Sequence, residues 1–259
     1  MEDGAWGFCP RDVLPCFAEL NEDDGTGTVQ EDRKARPWLL VAQVKNDMTI
    51  TKPTLTLRDK TGHEFALVFD GLGRGDLDFR QRGLKKGNVA IVRNALRTPP
   101  REQGRGQGFV VVGKGREDTV SAVPGPLERV VKAIAVLAVR EAFLAPTRAV
   151  TDEDPGAQLR ITAALEYMRE ALGLHKQDGM VDTGSATRIE RALLAGQEPA
   201  LGCDVCDVCE AEEAEEARNC TGCGEARYCG KECQAKAWTE LDHRSSCKIM
   251  KTVKKILNL

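Results

Sequence analysis

The chain has 259 residues, 41% of them apolar and 30% charged, with a formal net charge of −3 at pH 7. That balance points to a soluble, folded protein, with room for one large domain or two or three small ones at ~100–200 residues each. The longest apolar run, 133–139 between Lys132 and Arg140, falls far short of the ~18 residues of a membrane span, and the opening MEDGAWGF has the marks of neither a secretory signal nor a transit peptide. The expected location is therefore the nucleus or cytoplasm, where thiols stay reduced.

The charge is unevenly spread. Residues 1–32 form an acidic segment with 1 basic against 9 acidic side chains, while 33–116 carry 18 against 7. A basic island of this kind suggests an anionic partner. Within it, WLLVAQV (38–44) reads as a strand. TLTLR (54–58) alternates, turns at Asp59-Lys60-Thr61-Gly62 and resumes at Phe65, which is a hairpin pattern. Further strands are expected at 89–93 and 109–112, with a Gly-rich insert at 71–83. Five short strands with an insert after the third resemble an OB-fold, a small Greek-key barrel that often binds oligonucleotides.

That resemblance implies a phosphate-tracking groove for single-stranded nucleic acid lined by Arg58, Arg93, Arg97, Arg101 and Arg105, joined by Arg74, Arg80, Arg82, Lys85 and Lys86. The cationic loop 98–108 lies between the last two strands. Phe65, Phe69, Phe79 and Phe109 are candidates for base stacking, with at most one or two expected to be exposed. Neither Gly71-x-Gly73-x-Gly75 nor Gly104-x-Gly106-x-Gly108 has the spacing and context of a nucleotide-binding loop.

Residues 117–200 read as a helical connector. Leu127, Val130, Ile134 and Leu137 recur at helical spacing between Pro126 and Pro146. Asp154-Pro155 opens a second apolar stripe through Ile161, Leu165, Met168 and Leu172, and Ile189, Leu193 and Leu194 suggest a third helix. His63 and His175 have no neighbours in a catalytic spacing and read as solvated.

Eight of the ten cysteines lie between 203 and 247; the other two, Cys9 and Cys16, stand alone. In a reducing compartment such clustering calls for metal before disulfides. The ligand pairs are Cys206-x2-Cys209, Cys220-x2-Cys223, Cys229-x3-Cys233 and His243-x3-Cys247, with Cys203 left over as a spare thiol. Two intervening residues let one turn aim both sulfurs at an ion, and three suit a helical turn. Eight ligands make two closed tetrahedral zinc sites, each supplying roughly 10–16 kcal/mol of folding energy to a segment with little core of its own.

Together with Tyr228, Gln234 and Trp238, this order resembles the MYND-type zinc finger over residues 206–247, about a sixth of the chain. The resemblance implies interleaved sites: Cys206, Cys209, Cys229 and Cys233 on one zinc ion, Cys220, Cys223, His243 and Cys247 on the other. It also implies a module that docks proline-containing peptides through Gln234 and Trp238. Trp238 is followed by four residues before His243, longer than the family's usual two, so the last loop is expected to bulge. No SET-type methyltransferase signature accompanies the finger. The tail 248–259 reads as an amphipathic helix, with Ile249, Val253, Ile256 and Leu257 on one face.

The expected fold class is thus a multidomain α+β protein: acidic segment, OB-like β-barrel (33–116), helical connector (117–200), MYND-type finger (203–247) and terminal helix. The expected function is a non-enzymatic, zinc-binding adaptor for proline-containing protein partners. The basic barrel would add contact with single-stranded nucleic acid, in a transcription-related role. The alternative is a scaffold that binds protein alone.

Overall fold

The computed structural model describes residues 14–23, 38–99, 108–144, 206, 208–209 and 217–257. These divide into two compact units, one ending at Leu127 and the other starting at Glu128. The expected helices over 154–173 and 189–194, the cationic stretch 100–107, Cys9, Cys203 and His175 lie outside the described residues.

The first unit is a seven-stranded mixed sheet. Its strands are β1 (Leu39–Asp47), β2 (Thr54–Asp59), β3 (Glu64–Asp70), β4 (Val89–Arg93), β5 (Arg97–Thr98), β6 (Phe109–Gly113) and β7 (Val120–Val123), in the order β5-β6-β3-β2-β1-β4-β7. All pairs are antiparallel except β3 with β6. The alternation in β2 and β3 sends Leu55, Leu57, Phe65, Leu67 and Phe69 to one core with Leu40, Ala42 and Val44 of β1. The first four residues of β1 are buried on both faces, which explains why that strand reads as a continuous apolar run.

The hydrogen bonding does not close the expected OB-like barrel: the sheet is open, with β5 and β7 as its edges. After β4 the chain turns at Asn94, which has φ of 51°, and only the two residues of β5 pair with β6. The free edge of β4 is taken by β7. The insert 71–88 is a run of turns without a helix.

The end of the acidic segment belongs to this unit. Leu14, Cys16, Phe17 and Leu20 are buried, and Phe17 stacks on Phe65 with ring centroids 4.4 Å apart. Asp59 holds this segment to the hairpin. Its Oδ2 accepts the Phe17 N–H at 2.8 Å, and its Oδ1 accepts the Thr61 N–H, the Thr61 hydroxyl and the His63 N–H at 2.9, 2.7 and 3.0 Å. One buried carboxylate thus serves as both turn cap and tether.

The helix α1 (Leu127–Leu144) opens the second unit, close to the sequence expectation, and buries Val130, Val131, Ile134 and Leu137. The finger follows, with β8 (Arg218–Asn219), β9 (Arg227–Tyr228), α2 (Lys231–Thr239) and α3 (His243–Leu257). Among the described residues no helix is long and apolar enough to cross a membrane.

Candidate metal centre

The short β8–β9 hairpin presents the second cysteine pair at its tip. Cys220 donates its N–H to the Ala226 carbonyl at 2.6 Å, and Gly224, with φ of +73°, donates to the Cys220 carbonyl at 2.7 Å. Cys229 follows β9 directly and Cys233 lies in the first turn of α2. His243 and Cys247 occupy successive turns on one side of α3, as their i, i+4 spacing requires.

Two ligand clusters result: Cys206, Cys209, Cys229 and Cys233, and Cys220, Cys223, His243 and Cys247. The ligand atoms within each lie within 4.8 Å of one another. The pairs therefore interleave, and Cys206 joins Cys209 as expected. A tetrahedral zinc ion bonded at about 2.3 Å to sulfur and about 2.0 Å to nitrogen implies S···S edges of about 3.8 Å and S···N edges of about 3.5 Å. The sulfurs of Cys209 and Cys229, Cys229 and Cys233, and Cys220 and Cys247 are 3.6, 3.5 and 3.8 Å apart. His243 Nε2 is 3.4 Å from the Cys220 sulfur and 3.8 Å from that of Cys223. The donor sets fit two zinc ions.

The surroundings hold this geometry. The His243 ring meets Tyr228 and Trp238 edge-on, at 5.8 and 6.0 Å between centroids, which aims Nε2 at the sulfurs. The Glu225 N–H points at the Cys223 sulfur at 3.4 Å. Glu225, itself buried, pairs with Lys254 of α3 at 2.7 Å. A Cβ at Gly222 would lie 2.7 Å from the Cys247 sulfur, so this position admits only glycine beside the cluster. The cluster that includes His243 is buried throughout, whereas Cys209 and Cys229 of the all-cysteine cluster are exposed.

The thiols show what a cation must displace. Burial and the neighbouring sulfurs of Cys223 and Cys220 push Cys247 up to about 12, and burial with the adjacent thiols raises Cys233. Burial opposes ionisation of Cys206 too, but the N–H groups of Cys209, Cys229 and Val208 outweigh it and bring that thiol down to about 7.

The long loop between Trp238 and His243 is accommodated by Asp242, which takes φ of 51°. Its carboxylate accepts the Ser245 hydroxyl at 2.9 Å and pairs with Arg129 of α1 at 2.5 Å. That ion pair, like Glu225–Lys254 and the constraint at Gly222, had no signal in the sequence beyond the glycines of CTGCG. The helix expected at 248–259 begins at His243, so the last two ligands and the tail share one element.

Of the peptide-docking candidates, Gln234 is half-buried and Trp238 is 39% exposed, one turn apart on α2. Of the five arginines expected to touch nucleic acid, Arg101 and Arg105 lie outside the described residues. Arg97 pairs with Glu22 at 2.6 Å, Arg58 lies opposite Glu64 in the β2–β3 ladder, and Arg93 lies opposite Leu39. Phe65, Phe69 and Phe79 are core residues and Phe109 is partly exposed, in line with the expectation that at most one or two of the four would be.

Residues 203–247 match the family model of the MYND finger. No curated protein matches the chain. The match identifies this segment as a zinc finger of that family.

Proposed function

We propose that the protein is a non-enzymatic adaptor whose MYND finger docks proline-containing protein segments on the face formed by Gln234 and Trp238. MYND fingers are protein-interaction modules, and a zinc site with four protein ligands has no open position for catalysis. The observation that carries the reading is Trp238. It is one of three large apolar side chains exposed among the described residues, and it is braced edge-on by His243 at the metal centre. An aromatic face held rigid beside an amide suits an extended, preformed proline-rich ligand. The test is binding of the zinc-loaded chain to a proline-rich peptide array. Trp238→Ala should abolish capture while two zinc ions per chain are retained, and Gln234→Ala should weaken it. Undiminished binding by Trp238→Ala defeats the proposal.

A second reading assigns contact with single-stranded nucleic acid to the sheet unit. What supports it is the excess of basic residues in the sheet unit; its open cleft of about 490 Å3 exposes Asp47 and Asp78 beside Arg74 and Arg80 and adds no net positive charge. The parallel β3–β6 pair, with β5 continuing β4 past Asn94, supports an OB-like description of this unit. The scaffold alternative draws its support from the engagement of Arg97 by Glu22 and from the burial of the phenylalanines. A transcription-related role belongs to the first of these two readings.

A further inference from the structure

Helix α3 carries a second surface beside its zinc-ligand side, its centre about 90° around the axis from His243 and Cys247 on ideal helix geometry. Its ligand side presents His243 and Cys247, and Ile249, Val253, Ile256 and Leu257 are buried. The exposed residues of the helix are Arg244, Lys248, Lys251 and Lys255, and all four are cations. At 100° per residue they fall within an arc of about 60°, and at 1.5 Å per residue they extend over about 16 Å. Among the described residues none of the four has an ion-pair partner, and α3 contains no acidic residue.

The arrangement works against the helix. Neighbours at i+4, i+3 and i+4 along the stripe repel one another, and Arg244 places a positive charge in the first turn, at the positive end of the helix dipole, a cost that the favourable place of Lys255 in the last turn offsets only at the other end. Lys254, by contrast, falls on the ligand side of the helix, where it pairs with Glu225. A row of unneutralised like charges that the fold does not use is the kind of local conflict found at binding surfaces.

We propose that this stripe binds the phosphodiester backbone of nucleic acid. The face contains no exposed apolar or aromatic residue, whereas a protein-docking surface is built around such anchors. The apolar face of α3 is already buried, so the helix has nothing to insert into a lipid surface. An evenly spaced line of cations is what sequence-independent phosphate contact requires. The site lies in the finger's unit and is independent of the contact proposed for the sheet unit.

The test uses the full zinc-loaded chain with a fluorescent 20-base-pair duplex and the matching single strand, read by anisotropy across a salt series. Each contacted phosphate contributes about −0.9 to the slope of log affinity against log salt for duplex and about −0.7 for single strand. Lys248→Gln/Lys251→Gln should therefore flatten the slope by about 1.8 on duplex or about 1.4 on single strand. The same charge removal at the exposed pair Lys231→Gln/Lys236→Gln on α2 should leave the slope unchanged. Zinc content and circular dichroism establish that each variant is folded. No binding at about 50 mM salt, an unaltered slope in the α3 variant, or an equal loss in the α2 variant would overturn the proposal. So would displacement of the α3 contact by a polyglutamate peptide at lower charge concentration than by nucleic acid, which would assign the stripe to an acidic protein. A loss confined to Lys85→Gln/Lys86→Gln would place the contact in the sheet unit and overturn it equally.

Discussion

Gly222→Ala tests the metal geometry most directly. The added methyl would sit 2.7 Å from the Cys247 sulfur and 3.6 Å from that of Cys220. Ordinary contact begins at 3.4 Å, so the Cys247 sulfur must retreat by about 0.7 Å. Metal–ligand distances tolerate about 0.2 Å, so the displacement removes one ligand of four. A proportional share of roughly 10–16 kcal/mol is about 2.5–4 kcal/mol, or about sixty- to seven-hundredfold weaker binding at the site that includes His243. The all-cysteine site should keep its ion. Competition with a chromophoric chelator resolves the two ions, and cobalt substitution reports the loss through the thiolate charge-transfer band. Gly230→Ala is the comparison, since a Cβ there meets nothing within 4 Å. Two ions held with unchanged affinity in Gly222→Ala would refute the placement of Cys247 at the cluster.

Asp59→Ala leaves the N–H groups of Phe17, Thr61 and His63 without their carboxylate, and chemical denaturation should register a loss of about 3–5 kcal/mol in the sheet unit. Phe17→Ala empties the stack on Phe65 and should cost about 3–5 kcal/mol by the same measurement. Zinc affinity should rise with pH. Around neutral pH, Cys233 and Cys247 still hold protons that zinc must expel, and below about 7 Cys206 takes one up as well. Acidification therefore favours release, by about tenfold per pH unit for each proton displaced. A metal-release titration that stays flat as the solution passes from mildly basic to mildly acidic would contradict this.

The four ligand pairs were legible in the sequence because metal spacing is a local property: x2 and x3 gaps fix which ligands one turn can aim together, whereas which pairs share an ion came only from the resemblance to the MYND finger. The strands from Leu39 to Arg93 were legible for a similar reason, since Leu55 and Leu57 alternate with Thr54 and Thr56. The two residues of β5 and the four of β7 are too short to show a period, and their pairing with β6 and β4 depends on the folded chain. Burial of Leu14, Phe17 and Leu20 was hidden by the acidic residues around them, and its cause, Asp59, is 42 residues away from Phe17. The basic stripe was obscured in the sequence by Lys254, which looks like its fellow lysines until its partner Glu225 is seen.

Because His243 and Cys247 open the same helix that runs on to Leu257, the tail is a rigid arm fastened at its root to an ion. Load applied near Lys255 is shared between the packing of Val253, Ile256 and Leu257 and the two ligands at the root of the same helix. Anything that seizes the far end of that arm therefore also strains, or steadies, the metal at its pivot.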